Sequence, residues 1–596
     1  MSNLHIDRPI DAGISSAALK EQGADHAAQE LTNFWFDSAM DQWTSRPPFA
    51  QVVLAGNTVG VDGGSPGPYF ASDLVAWGCQ ATLVSDVEAY TGGVSGMLLM
   101  NKVTGRVIYK ATPPVTPITQ ISATALSGYS SNNRYIGWTR SFNIGGKVYG
   151  VMRNGQGLAD LTNNTITTLI GNPGGALAAD MGQTRDACWA FGRWWVVGTS
   201  SDGQSGVLLW SNAGGASFAT ASSGGGMVFN SSTTGVSSPP RKDVPRAIIA
   251  LHDQLVIVWG NCIQYWGAND GNKTPVNPGG ANGLVLLKQI DGVGCEVTGF
   301  VQNVGESAVM LTSQGLVALS RDSQDGRFYV EPLAPQASGA LIRFYRQVLA
   351  TKPAVGDGQT PGYNAHALYD PLSGNLFLWA THTSRVAVCN FSAGGVRVSF
   401  WAAGGLLPHY TAIVDIGGVS QDSQSRARKI VGYHPSQPGL LQVLDLNTSV
   451  GAVGAMFPPQ TWEPAYSALA MPTFRRMGLE GFTKILKRAI LAVRYARRNR
   501  VTQLTYAITG AQARGWKGDE LNVNLATTPG TQALVDPGIT DPTTVLTGAR
   551  FSIPLRGSAE EASVGLYIPD ARDIQCTFDA LEVQYVKGGR ASGTPN

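Results

Sequence analysis

The feature that most constrains the fold of this chain is a short apolar unit, seen clearly in ALHDQLVIVWGNCIQYWG (residues 250–267). Two runs of β-branched and aromatic residues flank Gly260 and Asn261, which both tolerate a positive φ. This pattern predicts a β-hairpin. Because neither run has a polar face, we expect the hairpin to be covered on both sides by other sheets.

Similar units of short strands and tight turns recur along the chain, at intervals of roughly 40 to 60 residues. Such repetition is typical of a β-propeller, in which four-stranded sheets pack radially as blades. The sequence therefore predicts an all-β fold, a β-propeller of six or seven blades. The other units are residues 95–111, 140–161, 186–218, 306–333, 363–391 and 428–446.

Composition supports this prediction. Only 14% of the 596 residues are charged, against roughly 25% in ordinary globular proteins. The 73 glycines suit many turns, and few charges suit a subunit with much of its surface against other subunits. A formal net charge of +2 argues against a dedicated nucleic-acid binder, but it does not exclude a pore through which DNA slides.

Three regions are predicted. Residues 1–45 form an N-terminal arm with a short helix at 24–31, residues 46–450 form the propeller with loop insertions, and residues 451–596 form an antiparallel β module. The aromatic residues Phe34, Trp35, Phe36 and Trp43 are expected to anchor the arm. Paired prolines at 47–48 mark its end. In the last region, apolar side chains at 581, 583 and 585 alternate with polar ones and predict a half-buried strand.

The cysteine spacing and the N-terminus indicate where the protein is made. The six cysteines lack a CxxC pair, so free and mostly buried thiols in a reducing cytosol are expected. They are Cys79, Cys188, Cys262, Cys295, Cys389 and Cys576. The N-terminus has no apolar signal segment, and no run approaches the ~18 apolar residues of a transmembrane helix. We therefore expect synthesis in the cytoplasm and no membrane-spanning segment.

Catalytic motifs are not recognisable in the sequence. Five histidines are spread over several repeat units, without HxH, HExxH or GxSxG spacing, and are expected to be structural. They are His252, His366, His382, His409 and His434. Gly-rich segments at 62–68 and 277–283 lack the Lys-Ser/Thr ending of a phosphate loop. We expect no enzyme activity, no metal and no cofactor. The segment 211–218, SNAGGASF, resembles the structural Asp-box turn of sialidase-like propellers, with Ala213 replacing the Asp.

Three segments together resemble the tail nozzle proteins, or packaged-DNA stabilisation proteins, of short-tailed bacteriophages. They are RAIIALHDQLVIVWGNCIQYW (246–266), DGVGCEVTGFVQNVGESAVMLTSQGLVAL (291–319) and IPLRGSAEEASVGLYIPDARDIQCTFDALEVQYVKGGR (553–590). The resemblance covers residues 130–590. It implies a structural virion protein of the tail, in which six copies form a ring below the portal and adaptor rings. The ring would extend the DNA channel, retain packaged DNA without sequence-specific binding, and carry fibres or spikes. The third segment resembles a C-terminal β module common to these proteins, and we expect residues 451–596 to form a platform.

A basic run in the C-terminal region is the candidate interface. Between residues 474 and 500, nine Lys or Arg residues accompany one acid, Glu480; the nine are Arg475, Arg476, Lys484, Lys487, Arg488, Arg494, Arg497, Arg498 and Arg500. Three interpretations remain open: a solvated strand or helix surface, a contact to an acidic neighbouring ring, or a stripe facing DNA. Tight phosphate contacts would impede passage of DNA, so a neutral or acidic lumen suits a conduit better.

Two further expectations concern function. The low-charge segments 221–244 and 267–283 are candidate loops that close the channel, since both are long for connections within a blade. The alternative function for the whole chain is a carbohydrate-binding or carbohydrate-active propeller.

Overall fold

The computed structural model describes residues spread over the whole chain, and the following paragraphs concern only these. They are 2–15, 26–37, 41–48, 50–53, 74–76, 97–101, 107–111, 137–144, 147–153, 157–160, 165–168, 170–171, 179–200, 205–213, 225–229, 243–268, 283–304, 307–321, 328–350, 365–370, 373–380, 383, 385–392, 395–402, 409–416, 427–433, 440–445, 461–462, 465–473, 482–497, 507–508, 511–516, 532–533, 547–555, 558–559, 561–572 and 574–590. The fold is nearly all β, as predicted.

Strands follow one another along the chain with few interruptions. The first part contains β1 (Ser2–Asp7), β2 (Gly13–Ile14), β3 (Ala27–Thr32), β4 (Phe34–Asp37), β5 (Gln42–Ser45) and β6 (Ala50–Val53). Five antiparallel sheets come next, in chain order. They are β7 (Leu74–Ala76), β8 (Met97–Asn101) and β9 (Val107–Ala111); β10 (Gly137–Ile144), β11 (Lys147–Arg153), β12 (Gly157–Asp160) and β13 (Thr165–Thr168); β14 (Ile170–Gly171), β15 (Ala179–Ala190), β16 (Arg193–Ser200), β17 (Gly206–Trp210) and β18 (Gly225–Val228); β19 (Pro245–Leu251), β20 (Gln254–Trp259), β21 (Cys262–Ala268) and β22 (Leu284–Asp291); and β23 (Val301–Val304), β24 (Ser307–Thr312), β25 (Gly315–Arg321) and β26 (Phe328–Leu333).

The helix α1 (Ser338–Ala350) separates these sheets from the rest of the chain. Short 3-10 turns lie at Thr298–Phe300 and Pro335–Ala337. The later strands are β27 (Ala365–Asp370), β28 (Asn375–Ala380), β29 (Arg385–Asn390), β30 (Arg397–Ala402), β31 (His409–Ile416), β32 (Ala427–Tyr433), β33 (Leu440–Asp445), β34 (Thr461–Trp462), β35 (Ala468–Pro472), β36 (Phe482–Arg497), β37 (Ala507–Ile508), β38 (Ala511–Trp516), β39 (Gln532–Ala533), β40 (Thr547–Pro554), β41 (Ser558–Ala559), β42 (Glu561–Ile568) and β43 (Ile574–Arg590).

The predicted apolar hairpin is confirmed. Strands β20 and β21 pair antiparallel around Gly260 and Asn261, and all six side chains of β20 are buried. The hairpin forms the middle of the sheet β19-β20-β21-β22. On one side its tryptophans pack with those of β16 and β17, in an apolar cluster that includes Trp195, Trp210 and Trp259. The neighbouring sheets cover the hairpin, which explains why neither of its strands has a polar face.

Successive sheets form a circuit like that of a β-propeller. Strand β10 lies next to β7 and β15, and β15 lies next to β19. The turn Thr298–Phe300 contacts both β19 and β27, β27 lies next to β31, and β31 returns to β7. In each of these sheets, the first or second strand, or the turn that leads into the first strand, therefore contacts the next sheet.

An N-terminal strand completes the last sheet of this circuit. β6 pairs antiparallel with β33, so the strand order becomes β31-β32-β33-β6, followed by β34. Residues far apart in sequence thus share one sheet. The paired prolines at 47–48 lie two residues before β6 begins.

The N-terminal helix predicted for 24–31 is wrong over its described part. Residues Ala27–Thr32 form β3, which lies between β30 and β35. Ala28 and Leu31 are fully buried. Neighbouring strands on both sides satisfy the backbone of β3, and this tertiary pairing overrides a weak local helix propensity.

We call the nine-stranded sheet that contains β3 the bridging sheet. Its order is β27-β28-β29-β30-β3-β35-β42-β38, with β2 paired to β3. It runs without interruption from a sheet of the circuit, through the N-terminal segment, into the C-terminal strands. Gly565 in β42 allows this close packing, because a Cβ there would overlap the carbonyl oxygen of Ala470 in β35.

A second sheet, which is entirely antiparallel, also joins early and late strands, and we call it the terminal sheet. It contains β1, β4, β5, β36, β40, β41 and β43, with β36 and β43 paired along nearly their whole length. The predicted arm therefore lies within the sheets of the C-terminal region. Phe34, Trp35, Phe36 and Trp43 are all buried, as expected of anchoring residues.

A single large apolar core links these parts. It extends from the terminal sheet to the sheets β23–β26 and β27–β30. The helix α1 contributes Leu341, Phe344, Tyr345 and Val348 to it, which recur at helical spacing along one face. The rings of Phe344 and Phe400 lie 6.0 Å apart, so α1 touches β30.

One candidate loop contains a strand. Within the segment 221–244, residues Gly225–Val228 form β18 and pair with Val207–Trp210 of β17. The loop prediction is therefore wrong for these residues, because pairing with an apolar neighbour strand outweighs their Gly-rich composition. The rest of that segment up to residue 242, apart from Phe229, lies outside the described residues, as does most of 267–283.

Candidate assembly surface

The basic run contains a strand at the centre of the terminal sheet. Strand β36 is 16 residues long and pairs with β43 on one side and with β40 and β41 on the other. Alternate side chains face the core; they are Leu486, Ala489, Leu491, Val493 and Tyr495. Because the side-chain period of a strand is two residues, the basic residues between these positions lie on the opposite face.

The structure brings only some of the nine predicted residues together. Lys487 and Arg488 are exposed, and Arg494 is partly exposed. Lys484 is buried, with 1% of its surface exposed, and so cannot contribute to a contact surface. Arg497 ends β36, but its side chain is outside the described residues, and so are Arg475, Arg476, Arg498 and Arg500.

A β-bulge explains why two adjacent basic residues are both exposed. The register between β36 and β43 shifts between Leu486 and Arg488. An extra residue at a bulge interrupts the strict alternation of faces. Lys487 and Arg488 therefore both point to solvent, and together they form a compact cationic site.

Arg494 has its partners within the chain. Its Nε lies 2.6 Å from Oδ2 of Asp579, and its Nη2 donates a hydrogen bond to Oε1 of Gln42. Thr577 donates to the other carboxylate oxygen of Asp579 at 2.9 Å. Arg494 therefore connects β36 to β43 and to the N-terminal hairpin of β4 and β5, so its role is structural.

Sequence reasoning missed several surface residues of the same sheet. Arg550 on β40 is exposed and is paired in register with Ala492 of β36. Ile485 and Val586 are register partners on β36 and β43, with 39% and 36% of their surfaces exposed. The alternation in the segment 549–554 could have indicated Arg550, whereas the apolar pair depends on the long-range register of two strands.

A fully buried arginine holds the N-terminal segment to the bridging sheet. The Arg46 guanidinium lies 3.6 Å from the ring centroid of Tyr466 and 5.7 Å from that of Trp401. Its Nε donates to Oδ1 of Asn33 at 2.9 Å, and its Nη1 donates to the Pro47 carbonyl at 3.1 Å. We call these residues the Arg46 junction.

Asn33 serves as the hub of the Arg46 junction. It has a φ of 59°, in the left-handed region that Asn adopts more readily than most residues. Its Oδ1 also accepts from the Ala402 amide at 2.9 Å, and its Nδ2 donates to the Ser467 carbonyl at 2.6 Å. One side chain therefore connects β30, the N-terminal segment and the segment before β35.

The described histidines among the five predicted to be structural lie on three different elements. His252 lies in the turn between β19 and β20 with a φ of 53°, His366 lies in β27, and His409 begins β31. His382 and His434 are outside the described residues. Among the described residues, no group of three His, Cys, Asp or Glu side chains could hold a metal ion.

The described start of the Asp-box-like segment has a structural role. The amide of Trp194 donates to Oγ of Ser211 at 2.9 Å, and Arg193 Nη1 donates to the Ser211 carbonyl at 2.8 Å. Ser211 thus fixes the end of β17 against β16. The remainder of the segment, 214–218, lies outside the described residues.

The described cysteines are buried thiols. Cys188, Cys262, Cys295, Cys389 and Cys576 form no disulfide, as predicted. Burial raises the pKa of Cys262, Cys295 and Cys389 to about 12. For Cys262, the nearby carboxylates of Asp291 and Asp243 raise the pKa further. These thiols stay protonated near neutral pH, so they are poor nucleophiles. Cys79 is outside the described residues.

In the part of the chain that the structure describes, no helix has the length and apolar character needed to cross a membrane.

No known protein family and no curated protein matches this sequence. Solved structures that resemble the chain include the β-propeller domain of Cps50 (Swd1) from Myceliophteria thermophila, at 7% identity and a TM-score of 0.34, covering 64% of this chain and 97% of that one. The WD40 domain of Toxoplasma gondii coronin gives 9% identity, a TM-score of 0.25 and coverages of 53% and 80%. A functionally unknown protein from Desulfotomaculum acetoxidans gives 12% identity, a TM-score of 0.30 and coverages of 55% and 89%. Similarities this weak carry no argument about function.

Proposed function

We propose that this protein is a structural subunit of a bacteriophage tail nozzle. In this proposal six copies form a ring in the virion tail, below the adaptor and portal rings. The ring extends the DNA channel, retains packaged DNA, conducts it during ejection, and carries fibres or spikes on its outer surface. The protein acts by shape and assembly and not by catalysis.

The observation that carries this proposal is the bridging sheet. A nozzle subunit must transmit force between the part that docks on the tail and the part that surrounds the channel. A sheet that continues from β27 to β38 joins these two parts through backbone hydrogen bonds, and the Arg46 junction adds a buried polar connection between them. A flexible linker would not transmit force in this way.

The circuit of sheets supports the propeller part of the proposal. We take the sheets β7–β9, β10–β13, β14–β18, β19–β22, β23–β26, β27–β30 and β31–β33 as seven blades, with β6 completing the seventh. This assignment gives seven blades, which is the higher of the two blade numbers expected from the sequence. β6 precedes the first of these sheets in the chain and pairs with β33 of the last one, which supports closure of the circuit.

The three segments that resemble tail nozzle proteins fall on different parts of the fold. Residues 246–266 include β20 and nearly all of β19 and β21, and residues 291–319 include β23, β24 and most of β25. Residues 553–590 include β41, β42 and β43. The first two support the propeller, and the third supports a platform built on the terminal sheet.

The terminal sheet is the proposed platform, and its cationic site is the proposed contact to the ring above. Lys487 and Arg488 protrude together from β36, and an acidic partner surface would match their charge. Replacing both by Glu should weaken attachment to the upper tail and leave the fold intact, because neither side chain is buried. Arg385→Glu, on an exposed position of β29, is the control.

Imaging tests the proposal directly. Negative-stain micrographs of the purified chain, or of tails assembled with it, should show six-fold rings with a central channel. A chain that stays monomeric, is absent from tails and binds glycans would overturn the nozzle and favour a carbohydrate-binding propeller.

The channel gate requires its own experiment. We propose that one of the low-charge segments closes the lumen sterically, because ring symmetry repeats one protrusion around the axis. Shortening 230–242 and 269–282 separately should identify it. Loss of the gating segment gives particles that assemble and then lose DNA, whereas loss of a decorating segment gives particles that keep DNA but lack fibres. If neither change releases DNA, the gate lies elsewhere.

A further inference from the structure

The terminal sheet has two edges whose geometry matches. At one edge lies β40, which pairs with β36; at the other lies β1, which pairs with β43. In the described residues, neither strand has a partner on its outer side. Unpaired strand edges are templates for further strand addition, and natural proteins usually cover or blunt them.

The hydrogen-bonding groups of β40 can be assigned from one contact. The Leu555 amide donates to the Lys487 carbonyl at 2.9 Å, so residue 555 points toward β36. Because the direction alternates along an antiparallel strand, Gly548, Arg550 and Ser552 direct their N–H and C=O groups to the open edge. Pro554 offers only its carbonyl there, which is where proline is tolerated in a sheet.

The same reasoning applies to β1. The Arg8 amide donates to the Asp579 carbonyl at 2.8 Å, so residue 8 points toward β43. Asn3, His5 and Asp7 therefore direct their backbone groups to the open edge. These three residues are also exposed, as are Gly548, Arg550 and Ser552 in β40.

The two edges agree in side-chain face. Residues directly opposite in an antiparallel pair place their side chains on the same face of the sheet. In both β40 and β1, the residues whose N–H and C=O groups point to the open edge are the residues that lie on the exposed face of the sheet. Pairing β40 with β1 would therefore keep the apolar face of the sheet inside and the polar face outside. A mismatch by one residue would reverse the faces.

The two edges also agree in direction. β1 is antiparallel to β43, β43 to β36, and β36 to β40. β1 and β40 are consequently antiparallel to each other. Rotation about an axis along the strands preserves strand direction, so a rotated copy would present β1 antiparallel to β40.

Charge favours one register of this pairing. In the row that crosses the sheet, Arg550 is followed by Ala492, Ala580 and Asp7. The row begins with an exposed cation at one edge and ends with an exposed anion at the other. When Arg550 faces Asp7 of the next copy, Ser552 faces His5 and Pro554 faces Asn3. Opposite charges at facing positions stabilise a strand pair.

We propose that the terminal sheet continues from one copy of this chain into the next, through antiparallel pairing of β40 with β1 of a second copy. The contact is head-to-tail, because it joins two different surfaces, and repeated contacts of this kind close into a ring when the rotation allows it. The proposal rests on the ring of the proposed function and names its subunit interface. Backbone hydrogen bonds provide the affinity, and the Arg550–Asp7 pair sets the register.

Proline substitution tests the pairing without disturbing the fold. Ser552→Pro removes a donor at the open edge of β40, and His5→Pro removes one at the open edge of β1. Neither donor serves the pairing inside the chain. Ser552→Ala and His5→Ala keep the N–H groups and are the matched controls. Mass photometry and sedimentation velocity of the purified full chain report the assembly state, and circular dichroism checks the fold.

Each proline variant alone should self-associate at least about tenfold more weakly than the wild type, and the alanine controls should assemble normally. A 1:1 mixture of the two proline variants should stop at dimers. The intact β40 of His5→Pro can pair with the intact β1 of Ser552→Pro, and the two edges that remain both contain the proline. A contact between identical edges predicts instead that one of the two variants assembles alone, which would refute the proposal.

The charge pair provides a second test. Arg550→Asp and Asp7→Arg should each weaken assembly, and the double variant should restore it. Rings that form equally well from the proline variants would overturn the edge pairing and leave the nozzle proposal standing. A wild-type chain that is monomeric in solution also overturns the edge pairing, and its presence in or absence from tails then decides the nozzle separately.

Discussion

Removal of the Arg46 side chain should loosen the connection between the N-terminal segment and the bridging sheet. Arg46 is fully buried and contacts Asn33, Pro47 and Tyr466. Arg46→Ala removes the cation and leaves a cavity at the point where three segments meet. Arg46→Met fills most of the volume without the charge, so the two variants separate packing from polar contacts.

The expected loss follows from the contacts. Two hydrogen bonds from a charged donor contribute about 1.5–3 kcal/mol each, and a desolvated cation–π contact contributes about 2 kcal/mol. Desolvation of a buried guanidinium costs several kcal/mol and offsets a large part of this gain. The cavity of the alanine variant, roughly 85 Å³ at ~24 cal/mol per Å³, adds about 2 kcal/mol. The net loss for Arg46→Ala is therefore about 3–5 kcal/mol, and for Arg46→Met it is smaller by the cavity contribution.

Hydrogen exchange measured by mass spectrometry is the suitable assay. A chain of 596 residues is too long to assume two-state unfolding, whereas exchange reports the opening of individual segments. Protection of amides in β3, β4 and β5 should fall about 100- to 4,000-fold in Arg46→Ala, which is the loss of 3–5 kcal/mol converted at 1.4 kcal/mol per tenfold. Protection in β19–β22 should not change, because these strands lie in a different sheet.

Arg385→Ala is the control. Arg385 is exposed at the start of β29, in the same bridging sheet, and its removal should change stability by less than about 0.5 kcal/mol. The reasoning is refuted if Arg46→Ala leaves exchange in β3–β5 as slow as the control does. Equal losses in Arg46→Ala and Arg46→Met would show that the polar contacts dominate and that the cavity estimate is wrong.

Three further predictions concern stability. Gly565→Ala should destabilise the protein strongly, since its Cβ would overlap the Ala470 carbonyl, whereas Gly548→Ala should be nearly neutral because nothing lies within 4 Å of a Cβ there; thermal unfolding compares the two. The free energy of unfolding should fall above about pH 9, because burial raises the pKa of Cys262, Cys295 and Cys389 from 9.0 to about 12, and the unfolded thiols lose their protons first. The urea concentration at the unfolding midpoint should therefore be lower at pH 10 than at pH 8, which requires no two-state assumption, and a smaller pH effect in Cys389→Ala would identify one source. Arg494→Ala should cost at most about 1 kcal/mol, as the ion pair with Asp579 is partly exposed, and a double-mutant cycle with Asp579→Ala should recover that coupling.

Local sequence patterns were sufficient to predict the repeated strands. The hairpin of β20 and β21 followed from two short apolar runs and a turn that accepts positive φ. The helix α1 could also have been identified, because Leu341, Phe344, Tyr345 and Val348 recur at helical spacing. In each case the residues that determine the element are neighbours in sequence, so the local pattern is sufficient to predict it.

The candidate surface was predicted only in outline. The concentration of Lys and Arg between 474 and 500 indicated a cationic segment, but not which side chains reach solvent. Lys484 is buried, and Arg494 is held by Asp579. The bulge beside Leu486 exposes Lys487 and Arg488 together. These outcomes depend on the register with a strand that lies far along the chain.

Sequence alone determined the all-β character of this protein, the position of most strands in its repeat units and the burial of its described cysteines. Tertiary structure alone decided that residues 27–32 form a strand between β30 and β35, that β6 completes a sheet begun some 360 residues later, and that β1 and β40 become opposite edges of one sheet. The physical reason is that a strand obtains its hydrogen bonds from a partner that can lie anywhere in the chain. Local propensity indicates that a segment can form a strand. The partner strand determines whether it does so, which of its faces is buried and which of its edges stays unpaired.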